Sequence, residues 1–208
     1  MDSENQGSTG LLKGSCFLGV LERTGREGQL ESRQGLSIGA EVSEVLSRVR
    51  AILEERSVDC YLTGGLVRDA IMGRLTSDID VVVAADAMEV AREVAEVIHG
   101  RYVPLDQPHG IARVVVPGET HLHLDFASMR GSIEEDLACR DYTINTMAVN
   151  LHDIDQPVSP LIDPLGGERD LEDGRVRAVS EAALREDPAR LIRGVRLAAE
   201  LGFSIESR

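Results

Sequence analysis

Two short segments carry residue types that suit phosphate and metal chemistry: Tyr61-Leu-Thr-Gly-Gly-Leu-Val-Arg-Asp69 and, soon after it, Ser77-Asp-Ile-Asp-Val-Val-Val83. The pattern predicts that Gly64 and Gly65 fall where a short strand, Cys60-Tyr-Leu, gives way to a helix beginning near Leu66. Glycine lacks a Cβ, so backbone N–H groups there can approach an anion at the positive end of the helix. Arg68 is expected on the first turn, where its guanidinium reaches the same phosphates in a two-pronged contact. Asp78 and Asp80 are two apart on a strand and so point to one face. Paired carboxylates beside a phosphate cradle suit two hard cations bridged by a triphosphate. Taken singly, Gly-Gly is an ordinary turn and Asp-x-Asp an ordinary strand start; at this spacing the two together favour transfer of a nucleotide.

The elements that must position these residues follow from periodicity. Val42, Val45, Leu46, Val49, Ile52 and Leu53 recur at helical spacing and predict a helix from Ala40 to Arg56. A strand from Asp80 to Val83, a helix from Ala87 to Ile98, and two strands, Ala112 to Val116 and His121 to Phe126, come next. Pro117-Gly118 is the turn between those strands. In the second of them Leu122, Leu124 and Phe126 face one side, and His121, His123 and Asp125 the other. Ile133 to Ala138 and Ile144 to Val149 are short helical candidates. Asp187 to Leu201 is a long one, with apolar positions Leu191, Ile192, Val195, Ala198 and Ala199. The fold class expected is α/β (α+β), a small mixed sheet packed by helices.

Size and composition set bounds. A chain of 208 residues holds one domain of about 150 residues and part of a second. It is 42% hydrophobic but only 3% aromatic, with no Trp, so its core must be aliphatic. No apolar run approaches the roughly 20 residues that span a membrane, and no signal-peptide pattern stands at the N-terminus. Cys16, Cys60 and Cys139 show neither C-x-x-C spacing nor a disulfide framework, which fits a reducing cytoplasm. A net charge of −14 argues against a generally basic nucleic-acid surface but leaves room for a local path of arginines. Residues 1–38, rich in Gly, Ser, Gln and Glu, read as a disordered leader.

Four blocks resemble the polymerase-beta-like nucleotidyltransferases, and more narrowly the bacterial-type (class II) CCA-adding enzyme and poly(A) polymerase family. They are Gly64-Gly-Leu-Val-Arg-Asp69 with Asp78-Ile-Asp80; Arg140-Asp-Tyr-Thr-Ile-Asn145; Asp163-Pro-Leu-Gly-Gly-Glu-Arg-Asp-Leu171; and Glu186-Asp-Pro-Ala-Arg-Leu-Ile-Arg193. The resemblance implies a catalytic head over residues 39–150, then a hinge segment and the start of a helical neck over 151–208, without the RNA-gripping domains that follow in the family. It implies transfer of CMP or AMP from CTP or ATP to the 3′ end of tRNA, with pyrophosphate released. Poly(A) addition, CC-only or A-only addition, and a non-catalytic nucleotide- or RNA-binding remnant are the alternatives.

Two Mg²⁺ ions about 3.5–4 Å apart would serve such a transfer, held by Asp78 and Asp80, with Asp125 matching the family's third acidic position. By similarity Asp141 receives the ribose hydroxyls and Arg140 approaches phosphate; where the family has two arginines before that aspartate, this chain has Cys139 and Arg140. Thr143 and Asn145 read as capping and scaffold residues. Asp187 and Arg190, three apart on the predicted helix, share a face and match the family's protein template for the base, with Arg193 orienting it. An intrahelical salt bridge is the plainer reading of that pair.

Overall fold

Residues 16–18, 36–118, 122–154 and 160–207 are described by the structure, a computed structural model. The expected leader is not featureless: Cys16–Leu18 (β1) pairs antiparallel with Leu36–Ile38 (β2), and Ile38 is buried in the core. The rest of the leader, and His121, lie outside the described residues. Helix α1 spans Ala40–Glu55, and the apolar residues that predict it are all buried.

Strand β3 is Cys60–Thr63 and helix α2 is Gly64–Ile71. The helix thus begins at Gly64 rather than near Leu66, and both glycines form its first turn. Strand β4 is Asp78–Val83 and α3 is Ala87–Ile98. Helix α3 starts where the Asp86 carboxylate accepts from the N–H groups of Met88 and Glu89, a side-chain cap on otherwise unpaired donors. Strand β5, Arg101–Asp106, has no counterpart in the periodicity because Pro104 and mixed polarity interrupt it. It lies at the edge of the sheet, where a proline is tolerated. Strands β6, Ile111–Val115, and β7, His123–Ser128, follow. Helix α4, Ile133–Ala138, opens with a reciprocal cap between Ser132 and Glu135.

Ile144 to Val149 is not a helix. Thr143–Asn145 makes one 3-10 turn, and Ala148–Asn150 forms β8, paired to β3. Long-range pairing wins there over local helical pattern. A second 3-10 turn, Leu151–Asp153, leads on to β9, Leu161–Ile162, which pairs with β8 and carries the sheet past residue 150. Then come α5, Gly167–Glu172; β10, Arg175–Val176; α6, Glu181–Glu186; α7, Ala189–Leu201; and β11, Ser204–Ile205.

The long terminal helix begins at Ala189, not at Asp187. A proline disfavours helical geometry in the residue before it, and Asp187, preceding Pro188, is extended at φ −136, ψ 98. The face of α7 expected to be buried is also the wrong one. Leu191, Ile192 and Val195 are 53%, 74% and 60% exposed, and the helix instead rests on Gly194 and Leu197.

The main sheet has the order β5-β6-β7-β4-β3-β8-β9. Every neighbouring pair is antiparallel except β4 with β7, which is parallel. Ile79, Val81, Val83, Leu124 and Phe126 turn to the core shared with α1 and α3. A smaller patch, Val82 and Ala148 with Ile133 and Leu137 of α4, covers part of the opposite face. The rest of that face stays open. Among the described residues no helix is long and apolar enough to cross a membrane.

The block Asp163–Leu171, a hinge in the resemblance, is firmly bonded. Asp163 accepts from Gly167 and Glu168 N–H at 2.7 and 3.0 Å. Buried Asp170 accepts from the Thr143 hydroxyl at 2.6 Å and from Arg177 Nε at 2.8 Å. A methyl on Gly167 would overlap the Thr143 carbonyl oxygen. Gly167→Ala is therefore expected to destabilise the fold by about 1–3 kcal/mol. Urea denaturation of the variant beside the wild type measures this, and an unchanged midpoint would show that the contact relaxes freely.

Candidate active site

Strand pairing assembles the site. Register sets Thr63 opposite Asp80, Asp80 opposite Asp125, and Asp125 opposite Arg113. Residues paired across a ladder point to the same face, so Arg113, Asp125, Asp80 and Thr63 form one row across β6, β7, β4 and β3. Asp78 lies one step along β4, opposite His123, with Nδ1 of that histidine 3.7 Å from its carboxylate. The Asp78 side chain is 73% exposed.

Asp80 sits at the centre of the row, against the first turn of α2. Gly64 has φ +67, and a Cβ there would collide with the Asp80 carboxylate. Glycine is required on both counts. The Gly65 N–H donates to that carboxylate, and the Arg140 guanidinium lies close by. Burial pushes the Asp80 carboxyl above its ordinary value; Arg140 pulls it down, Asp125 pushes it up, the Gly65 bond pulls it down and Asp78 pushes it up. The net result is a carboxyl held above its ordinary value, with burial the largest cause. Oxygen-only donors fit a hard divalent cation.

The arginines around the row are held by named partners. Arg68 binds both oxygens of Asp69 through Nε and Nη2 at 2.9 and 3.0 Å, and its Nη1 donates to Asn145 at 2.8 Å. Three of its five donors are thus used. Arg140 Nη2 donates to Asp136 at 3.3 Å. Arg113 grips both oxygens of Asp125, through Nε and Nη2, at 2.7 Å each. Buried Asp141 accepts from the Tyr142 N–H at 2.8 Å, and Arg193 Nε of α7 stands 3.2 Å from its other oxygen. The Tyr142 hydroxyl donates to the Arg190 carbonyl at 2.7 Å, lying where Gly194 has no side chain to block it.

These groups line a cleft of about 820 Å³ between the open sheet face, α2 and α7. A model of the poly(A) polymerase head domain matches residues 60–132 and 118–177. The chain belongs to the poly(A) polymerase head-domain family. A CC-adding tRNA nucleotidyltransferase of Geobacter sulfurreducens is 41% identical over 162 residues, 77% of this chain and 36% of that protein. An A-adding tRNA nucleotidyltransferase of Halalkalibacterium halodurans is 32% identical over 182 residues, 79% of this chain and 41% of its own. The solved Thermotoga maritima CCA-adding enzyme, complexed with tRNA, is 32% identical at TM-score 0.70, covering 80% of this chain and 40% of that one. The chain spans less than half the length of each. The family is one of nucleotidyltransferases that use divalent metal.

Within this head-domain cleft the structure gathers Gly64, Gly65, Arg68, Asp78, Asp80, Asp125, Arg140, Asp141, Arg190 and Arg193. Asp187 is not among them. Its exposed carboxylate accepts from the Ala189 N–H at 2.9 Å, capping α7, and it does not share a helix face with Arg190. Arg190 instead reaches back with Nη1 to the Ala183 carbonyl at 3.2 Å. Asn145 is a scaffold residue as expected, in the specific sense that it holds Arg68. Arg113 escaped sequence reasoning: its alternation on β6 was visible, but its place opposite Asp125 depends on the register of β6 against β7. Cys60, buried, has its thiol pushed up to about 12 by burial, with Asp59 and Glu54 adding, and is no nucleophile.

Because the folded state holds the Asp80 proton to a higher pH than the unfolded chain does, ionising Asp80 opposes folding. In metal-free protein Asp80→Asn should therefore raise Tm at pH 7. The gain should fade as pH falls below the ordinary carboxylate range, near ~4, where Asp80 is protonated in both states. Thermal unfolding in EDTA across pH checks the sign, and a lowered Tm at pH 7 would contradict it.

Proposed function

We propose that this chain is the catalytic part of a metal-dependent RNA 3′-end nucleotidyltransferase that transfers CMP and AMP from CTP and ATP to the 3′ end of tRNA, releasing pyrophosphate. The observation that carries this reading is the register of Asp80 beside Asp125, with Asp78 one step away, against the Gly64-Gly65 turn in a head-domain fold. Names of the relatives record CC addition, A addition and CCA addition, which supports tRNA as the acceptor. A head lodged in the cytoplasm, where tRNA and both nucleotides are present, is part of the same proposal.

In this reaction the terminal 3′-hydroxyl of the RNA bonds to the α-phosphorus, the bond to pyrophosphate breaks, and the hydroxyl proton is lost. Asp78 and Asp80 are the residues that would hold Mg²⁺, with Asp125 as the third carboxylate. Bound Mg²⁺ would supply charge to the α-phosphate and to the attacking and leaving oxygens. Gly64 and Gly65 leave room for the triphosphate, Arg68 offers its two remaining donors to it, and Arg140, beside Gly64 and Asp80, adds charge. Asp141 faces the ribose hydroxyls. Arg190 and Arg193, on the cleft side of α7, face the base. Residues 39 through β9 form the head in this scheme, and α5 to β11 begin the base-selecting segment.

The test is incubation of purified protein with labelled CTP or ATP and tRNA lacking its 3′ terminus, followed by sequencing of the products. CCA, CC, A and poly(A) addition then separate directly. Asp78→Ala and Asp80→Ala should each abolish Mg²⁺-dependent incorporation while circular dichroism remains unchanged, and near-normal incorporation by either would remove the assignment. Arg190→Ala should cost roughly tenfold in discrimination of CTP and ATP from UTP and GTP, the scale of one lost base-edge contact. Dissociation constants for the four nucleotides measure it, and unchanged ratios return Arg190 to a purely structural bond with Ala183.

A further inference from the structure

The third carboxylate is not free. Arg113 holds both oxygens of Asp125 in a parallel two-bond contact at 2.7 Å, the strongest geometry a guanidinium and a carboxylate can adopt. The pair is fixed by the sheet, since β6 and β7 set the residues directly opposite each other. It is also sheltered, with side chains only 32% and 23% exposed. Asp78, Asp80 and Asp125 share a face, yet among the described residues no group of three metal-ligating side chains is drawn together. Asp125 turns toward β6 and its arginine. Arg113 itself lines the cleft, with Nη1 left over from the contact.

We propose that Arg113 is a positioning residue that orders metal loading: it withholds Asp125 from divalent cation until a nucleotide triphosphate enters the cleft and takes the guanidinium. A first cation then binds at Asp78 and Asp80 alone, and Asp125 joins only when phosphate oxygens replace it as the partner of Arg113. No bond is made or broken covalently; two ion pairs exchange partners. The advantage is that the three-carboxylate site is complete only with substrate present. This rests on the metal-dependent reading above.

The experiment measures Mn²⁺ binding to the full chain, by the loss of the free-ion paramagnetic resonance signal, without nucleotide and then with a non-hydrolysable CTP or ATP analogue. Arg113→Gln should tighten nucleotide-free Mn²⁺ binding about tenfold, the scale of one charge-assisted pair removed from competition. Arg113→Gln combined with Asp125→Asn should lose the gain. Arg113→Lys, which keeps the charge but not the fork, should fall between wild type and Arg113→Gln. With the nucleotide analogue the difference between wild type and Arg113→Gln should shrink.

Unchanged or weaker Mn²⁺ binding by folded Arg113→Gln would overturn the proposal. So would a gain that persists without Asp125, since that reports general charge rather than a released ligand. Failure of both Arg113→Gln and Arg113→Lys to fold would assign the pair to sheet stability and overturn it as well. Absence of Mn²⁺ binding to the wild-type chain, with or without nucleotide, would instead sink the metal-dependent reading itself.

Discussion

The parallel pairing of β4 with β7 is the constraint on which the site depends. It sets Asp80 directly beside Asp125, and like charges placed opposite one another across a ladder oppose folding. The surrounding residues read as answers to that arrangement. Gly64 gives up its side chain to make room, the Gly65 N–H points at the carboxylate, Arg140 approaches from the turn after α4, and Arg113 closes on Asp125. Burial still holds the Asp80 carboxyl above its ordinary value.

The cleft also differs in charge from the chain as a whole, whose net charge is −14. Arg68, Arg113, Arg130, Arg140, Arg190, Arg193 and Arg196 line it together with as many carboxylates, so its charges nearly balance where the molecule as a whole is acidic. Several of these arginines are tied down by acidic or amide partners, which fixes where their remaining donors point.

What was legible in the sequence is what depends on short periods. Asp78 and Asp80 share a face because strand side chains alternate, and α1 and α3 follow from apolar residues three and four apart. Belonging to the head-domain family was legible too, from four motif blocks in order. What was not legible depends on partners distant in the chain. Ile144–Val149 has a helical look, but β3 recruits Ala148–Asn150 as a strand. Arg113 meets Asp125 only through a hairpin register. Asp187 has the right spacing from Arg190, yet Pro188 breaks the helix between them. The exposed apolar face of α7 was misjudged for a related reason: a helix can rest on a glycine when a tyrosine hydroxyl fills the gap, and a hydrophobic pattern does not register glycine.

The parallel pairing inside the main sheet has a bearing on how the molecule comes into being. Antiparallel neighbours such as β3 and β4 can join soon after synthesis, whereas β4 and β7 meet only once α3, β5 and β6 have been threaded between them. Closing so long a loop costs chain entropy before any contact repays it, and pairings of this range form slowly. An incompletely folded chain therefore holds Asp78 and Asp80 without Asp125 and Arg113 alongside them. The row from Thr63 to Arg113 is thus a late product of folding: it exists only when the topology is complete.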